Sequence, residues 1–92
     1  MTVRECYHQC PCCDYYTLSE RAAYLTCPVC YWEDDGQDLD RLDVVSGPNH
    51  ITLRQGRTNY VEIGACDQAA VSLVAPAAEV VGLRREVRAS FH

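Results

Sequence analysis

Residues 10–30 read CPCCDYYTLSERAAYLTCPVC, with a Cys-Pro-x-Cys turn at each end: Cys10 to Cys13, and Cys27 to Cys30. Paired turns of this kind are a metal-site pattern, because Zn²⁺ takes four thiolates in a tetrahedron at about 2.3 Å and two intervening residues let one tight turn present both sulfurs. Pro11 and Pro28 hold φ near −65° (about that value for any proline) and remove an N–H, so each loop is partly organised before metal arrives. The candidate ligands are therefore Cys10, Cys13, Cys27 and Cys30. Cys12 leaves the first turn ambiguous, since it offers a third thiol there, but the outer pair repeats the two-residue gap of Cys27 and Cys30.

Two other readings of the cysteines are open. Buried thiols or disulfides fit less well, because the chain holds seven cysteines, an odd number, and its start, MTVRECYHQC, has no apolar run resembling a secretory signal. A thioredoxin-type redox site needs only one C-x-x-C, opening a helix after a strand. Here two turns occur, and the second is followed by Tyr31-Trp32.

With 92 residues the chain is expected to bury only about 60 to 65% of its unfolded surface. A structural zinc, worth on the order of 10 kcal/mol to folding, would supplement a core of that size. No stretch reaches eighteen apolar residues, the length of a membrane-spanning helix. A cytoplasmic setting, where thiols stay reduced, is the expectation. The net charge is −5, and the basic residues are all arginine. Glu33, Asp34, Asp35, Asp38, Asp40 and Asp43 crowd one segment with a single arginine, Arg41. That distribution argues against nonspecific nucleic-acid binding, which needs a basic face to displace counterions from phosphates.

Along the chain, residues 1–9 form an arm into the first turn, with Cys6 as a spare thiol and His8 as an exposed or supporting histidine rather than a ligand. In residues 15–26, the β-prone pairs Tyr15/Thr17 and Tyr24/Thr26 flank a polar link, which predicts a hairpin carrying the two turns at its ends; a short helix from Ser19 to Tyr24 is the alternative. Tyr31 and Trp32 are expected to pack beside the metal. The acidic run lacks the spacing of a calcium loop and reads as a solvated turn with Gly36 at its left-handed position. Thr52-Leu53-Arg54-Gln55 opens a helix that Gly64 stops, with Leu53, Arg57 and Tyr60 on one face. Asn49 and His50 precede it; a loop stabilised by side-chain hydrogen bonds outweighs an anion site there. Cys66 reads as a buried thiol. Residues 67–75 predict a second short helix capped by Asp67, and residues 77–92 an amphipathic helix with Val80, Leu83, Val87 and Phe91 on one stripe.

CPCCDYY at 10–16, CPVCYWEDDG at 27–36, GPNHITL at 47–53 and NYVEIGA at 59–65 together resemble the cysteine-rich CPCC family of small bacterial proteins, over about residues 9–76. The resemblance implies a small metal-binding module and carries no established activity. Asp14 stands where that family pattern leads one to expect Gly, and Gly56 where it leads one to expect Ala.

The expected architecture is α+β: a small zinc-ribbon-like β-hairpin with two CPxC turns, followed by two or three short helices, divided into a domain over residues 1–76 and a C-terminal amphipathic helix over 77–92. No catalytic motif occurs: there is no G-x-S-x-G, no phosphate loop and no His beside a defined nucleophile. The expectation is a non-catalytic module with one structural zinc per chain and a protein partner; an accessory or toxin-neutralising role is compatible with its size and acidic loop. The rival readings are a thiol protein using Cys12, Cys6 or Cys66, and a rubredoxin-like iron site, since paired CPxC turns also hold iron.

Overall fold

The computed structural model describes residues 7–89. Strands β1 (His8–Gln9) and β2 (Tyr16–Leu18) pair antiparallel across the first cysteine turn, with His8 opposite Leu18, Gln9 opposite Tyr16 and an irregularity between them. Both cysteine turns close in the same way. The Cys10 N–H donates to the Tyr15 carbonyl at 2.8 Å and the Asp14 N–H to the Cys10 carbonyl at 3.0 Å; in the second turn Cys27 donates to Trp32 at 2.9 Å and Tyr31 to Cys27 at 2.8 Å. The residue after each second cysteine is left-handed, Asp14 with φ 71° and Tyr31 with φ 73°. Glycine adopts that conformation freely, which accounts for the Gly expected at position 14.

The hairpin predicted within residues 15–26 does not form. The first β-prone run pairs back onto residues 8–9, and the second meets the chain beyond its own turn, through a Thr26–Glu33 bridge and bonds from Tyr24 N–H to Asp34 and from Asp34 N–H to Leu25. A Cys-Pro-x-Cys turn already reverses the chain, so each flank finds its partner across its own turn. Nor is Ser19 to Tyr24 helical, because Ala22 and Tyr24 take positive φ.

Helix α1 (Leu53–Ile63) has the expected caps: the Thr52 hydroxyl accepts from the Gln55 N–H at 3.1 Å, and left-handed Gly64 donates to the Tyr60 carbonyl. Its buried residues are Leu53, Gly56 and Arg57. They pack on a core made of Cys10, Cys12, Cys13, Cys27 and Cys30 with Leu18, Val29, Trp32 and Leu42. Trp32 is fully buried. Tyr31, its neighbour, is 39% exposed, so one of the two aromatics expected beside the thiols is there and the other is not. Single 3₁₀ turns occur at Leu39–Arg41 and Gln68–Ala70; the second is capped by Asp67 as expected but is shorter than the predicted helix.

The acidic segment is more than a solvated turn. Gly36 is left-handed, with φ 98°, but Asp34 is fully buried and accepts from Arg21 Nε and the Ala22 N–H, both at 2.8 Å, and from the Gly36 N–H at 3.1 Å. Asp38 pairs with Arg21 at 2.9 Å and with Arg88 at 3.3 Å. Asn49 ties this segment to the next loop by donating to the Glu33 carbonyl and accepting from the Glu33 N–H, which is the hydrogen-bonded loop expected before α1.

The helix predicted over residues 77–92 is a single turn, α2 (Ala77–Val80). Val80 and Leu83 pack on the core. Beyond them the chain runs extended along the first cysteine turn: Tyr16 N–H donates to Arg84 at 3.0 Å, Glu86 N–H to Asp14 at 3.3 Å, and Tyr15 bridges Arg85. A continued helix would satisfy its own backbone, whereas the extended course gives Arg85 and Arg88 hydrogen-bond partners on the first turn. Phe91 lies outside the described residues.

Candidate metal centre

The two turns face each other and bring Cys10, Cys13, Cys27 and Cys30 together, every sulfur within 4.8 Å of the other three. Cys10 Sγ lies 3.7 Å from Cys30 Sγ, and Cys13 Sγ lies 3.7 Å from Cys27 Sγ. Four thiolates about 2.3 Å from a central ion would stand about 3.8 Å apart along the tetrahedron's edges. These two spacings match the edge of such a tetrahedron, and the remaining pairs lie within 4.8 Å. All four cysteines are buried, and among the described residues this is the sole group of three or more His, Cys, Asp or Glu able to hold a metal.

Electrostatics point the same way. Burial pushes the Cys10 and Cys30 thiols well above the usual thiol range, while hydrogen bonds from Cys10, Cys13 and Cys30, with the Thr17 hydroxyl 3.0 Å from its sulfur, hold Cys27 far below it. A dry site that resists holding several thiolates at once accommodates them when a cation supplies the opposite charge.

Cys12 lies outside this group. It is buried against α1, and a side-chain carbon on Gly56 would come within 3.4 Å of its sulfur. Cys66 is buried too; burial, then the nearby Cys12, pushes its thiol up to about 12. His8 is exposed and is not one of the clustered residues, and Cys6 lies outside the described residues.

Around the first turn the structure places a group of residues that the sequence reading did not single out. Asp14 is 1% exposed. Its carboxylate accepts from Arg57 Nη1 at 2.8 Å and Nη2 at 2.9 Å, from Arg88 Nε at 3.0 Å and from the Arg88 N–H at 2.8 Å. Burial alone would raise its pKa, but Arg57 and Arg88 outweigh burial and hold it below the usual carboxylate value. The same guanidiniums reach the turn's backbone. Arg57 donates to the Pro11 carbonyl at 2.6 Å and Arg88 to the Cys10 carbonyl at 3.5 Å, and Arg85 donates to the Cys13 carbonyl at 2.9 Å. Two signals in the sequence pointed here: an acid in place of the expected Gly at 14, and an arginine on the core-facing side of α1.

Fold and site together define a small α+β protein with a buried four-cysteine cluster that could bind a metal ion. The chain belongs to the cysteine-rich CPCC family, whose pattern matches residues 8–80. No curated protein and no solved structure matches it. Among the described residues no helix is long and apolar enough to cross a membrane.

Proposed function

We propose that Cys10, Cys13, Cys27 and Cys30 hold one structural Zn²⁺ per chain and that the protein acts by binding a protein partner rather than by catalysis. The carrying observation is the 3.7 Å sulfur spacing within a fully buried group of four thiols. Structural zinc sites are closed, with all four positions taken by protein, whereas catalytic sites keep one open for water or substrate. Four protein thiolates would fill the tetrahedron. Two opposed cysteine turns, the first at the tip of the β1–β2 hairpin and the second closed by the Thr26–Glu33 bridge, support a zinc-ribbon-like reading of the fold. When bound, the ion contributes charge and cross-linking; Thr17, Trp32 and the arginines around Asp14 keep the thiolates dry and oriented.

A cytoplasmic, reducing setting suits four free thiolates, and the acidic net charge disfavours nucleic acid as partner. An accessory or toxin-neutralising protein is one form such a module takes. Metal analysis of protein purified without added metal tests the site: one zinc per chain is expected, while a coloured protein holding iron in the same four thiolates would replace zinc with the rubredoxin-like reading. For the partner, affinity capture with the zinc-loaded chain is compared with capture by Cys27→Ser. Identical sets of proteins recovered by both would overturn the interaction reading.

A further inference from the structure

The four sulfurs are sealed in the core, so the metal can leave only through a local opening of the protein around it. One side of the first turn is covered by α1, a capped helix of eleven residues. The other is covered by residues 83–88, a segment most of whose attachments converge on residues 9–16, with Arg88 also paired to Asp38 at 3.3 Å and its carbonyl accepting from Arg57 at 2.7 Å. Tyr16 N–H donates to Arg84 and Glu86 N–H to Asp14. Gln9 Nε2 donates to the Glu86 carbonyl at 2.7 Å, the Tyr16 hydroxyl to Glu86 Oε1 at 2.7 Å, and Arg85 and Arg88 reach Cys13, Cys10 and Asp14 as described above. Leu83 anchors the base of the segment on the core, but beyond it the apolar anchoring is slight, for Val87 is 72% exposed. A cavity of about 270 Å³ lies between it and α1, with Cys12, Arg57, Tyr60, Arg85 and Val87 in its wall, and the segment meets the helix through the Arg57 bond to the Arg88 carbonyl and the Arg85 guanidinium over the Tyr60 ring. Of the two covers, this segment is the cheaper to lift.

Charge strengthens the case. A divalent ion with four thiolates keeps an excess of negative charge, and three guanidiniums stand on the carbonyls of Cys10, Pro11 and Cys13. Two of the three, Arg85 and Arg88, belong to this segment. It also lies past residue 80, where the family match ends.

We propose that residues 83–88 form a detachable clasp over the first cysteine turn that sets how fast the metal is surrendered to an acceptor. This rests on the zinc reading above. Lifting the clasp removes Arg88 from Asp14, the residue next to Cys13, and takes two positive charges from beside the thiolates. The turn is then loosened and open to solvent. The ion passes to the acceptor, and the vacated thiolates take up protons from water.

The test is zinc transfer from the loaded full chain to an excess of a chromophoric chelator, compared with Arg85→Ala/Arg88→Ala and with the separate replacements Arg85→Lys and Arg88→Lys. Zinc content is measured first, and hydrogen exchange at the Tyr16 and Glu86 amides reports clasp opening directly. Release about tenfold faster in the double alanine variant is expected, matching the effect of removing a group that supports metal ligands, with the lysine variants in between. Added salt should speed release from the wild type and have little effect on the double variant, a dependence that loss of packing alone would not produce. Equal zinc content with release rates within twofold overturns the clasp and leaves the zinc site standing. A full chain that binds no zinc overturns both. If the double variant does not fold, the lysine variants carry the comparison, and unchanged rates in both decide against the clasp.

Discussion

Gly56 sets its bare Cα against the ring of Trp32: a side-chain carbon built there would lie 2.9 Å from Trp32 Cζ3 and 3.1 Å from Cε3. The ring is fully buried among the cysteines and has little room to yield. Gly56→Ala should therefore destabilise the metal-loaded protein by about 1 kcal/mol, because overpacking costs about 1 to 3 kcal/mol against a helix-propensity gain of about 1. Denaturant unfolding measures it. A more stable alanine variant would show that α1 can slide off the ring.

The sulfur geometry sets the four clustered thiols apart from Cys12 and Cys66. Cys10→Ser, Cys13→Ser, Cys27→Ser and Cys30→Ser should each abolish stoichiometric zinc and lose most of the circular dichroism signal, as chelation of the wild type should. Cys12→Ser and Cys66→Ser should retain one zinc per chain. Zinc bound by Cys13→Ser but not by Cys12→Ser would move the first turn's ligand to Cys12.

Asp14→Asn leaves the buried Arg57 without its carboxylate and should cost about 3 kcal/mol near neutral pH, the range for breaking a buried pair. The sign of the pH dependence follows from the depressed pKa. The stabilisation is fully present above the unfolded carboxylate value, about 3.9, and declines as pH falls below it toward the folded value. The stability gap between wild type and variant, followed by denaturant unfolding over the pH range in which zinc stays bound, should thus be constant above about pH 5 and begin to narrow as pH falls toward about 4. A gap that widened on acidification would contradict the ion-pair account.

Tyr31 and Asp14 occupy equivalent left-handed positions, but only Asp14 is tied into the arginine network. Tyr31→Gly should therefore raise stability by about 1 kcal/mol, the usual relief of a left-handed residue, while Asp14→Gly should lower it despite the same relief. Thermal unfolding of the two variants decides the point, and opposite signs are the expected result.

Spacing within the chain was enough to identify the four clustered cysteines, the Thr52 and Gly64 caps of α1 and the left-handed turn at Gly36, because each depends on residues a few positions apart and on local backbone geometry. The departure at Asp14 was visible as well, though not its meaning. Tertiary structure alone decided which strands pair, since β-prone runs do not name their partners. It also decided that residues 84–88 run extended, because backbone bonds to Asp14 and Tyr16 and side-chain bonds from Arg85 and Arg88 outweigh a helical pattern. The Asp14, Arg57 and Arg88 network joins residues 43 and 74 positions apart, and a charge on an apolar stripe finds its partner only once the chain has folded. Burial of Asp34 is of the same kind: an acidic run reads as solvated until Arg21 and two backbone N–H groups supply, in the interior, the hydrogen bonds that water would have made.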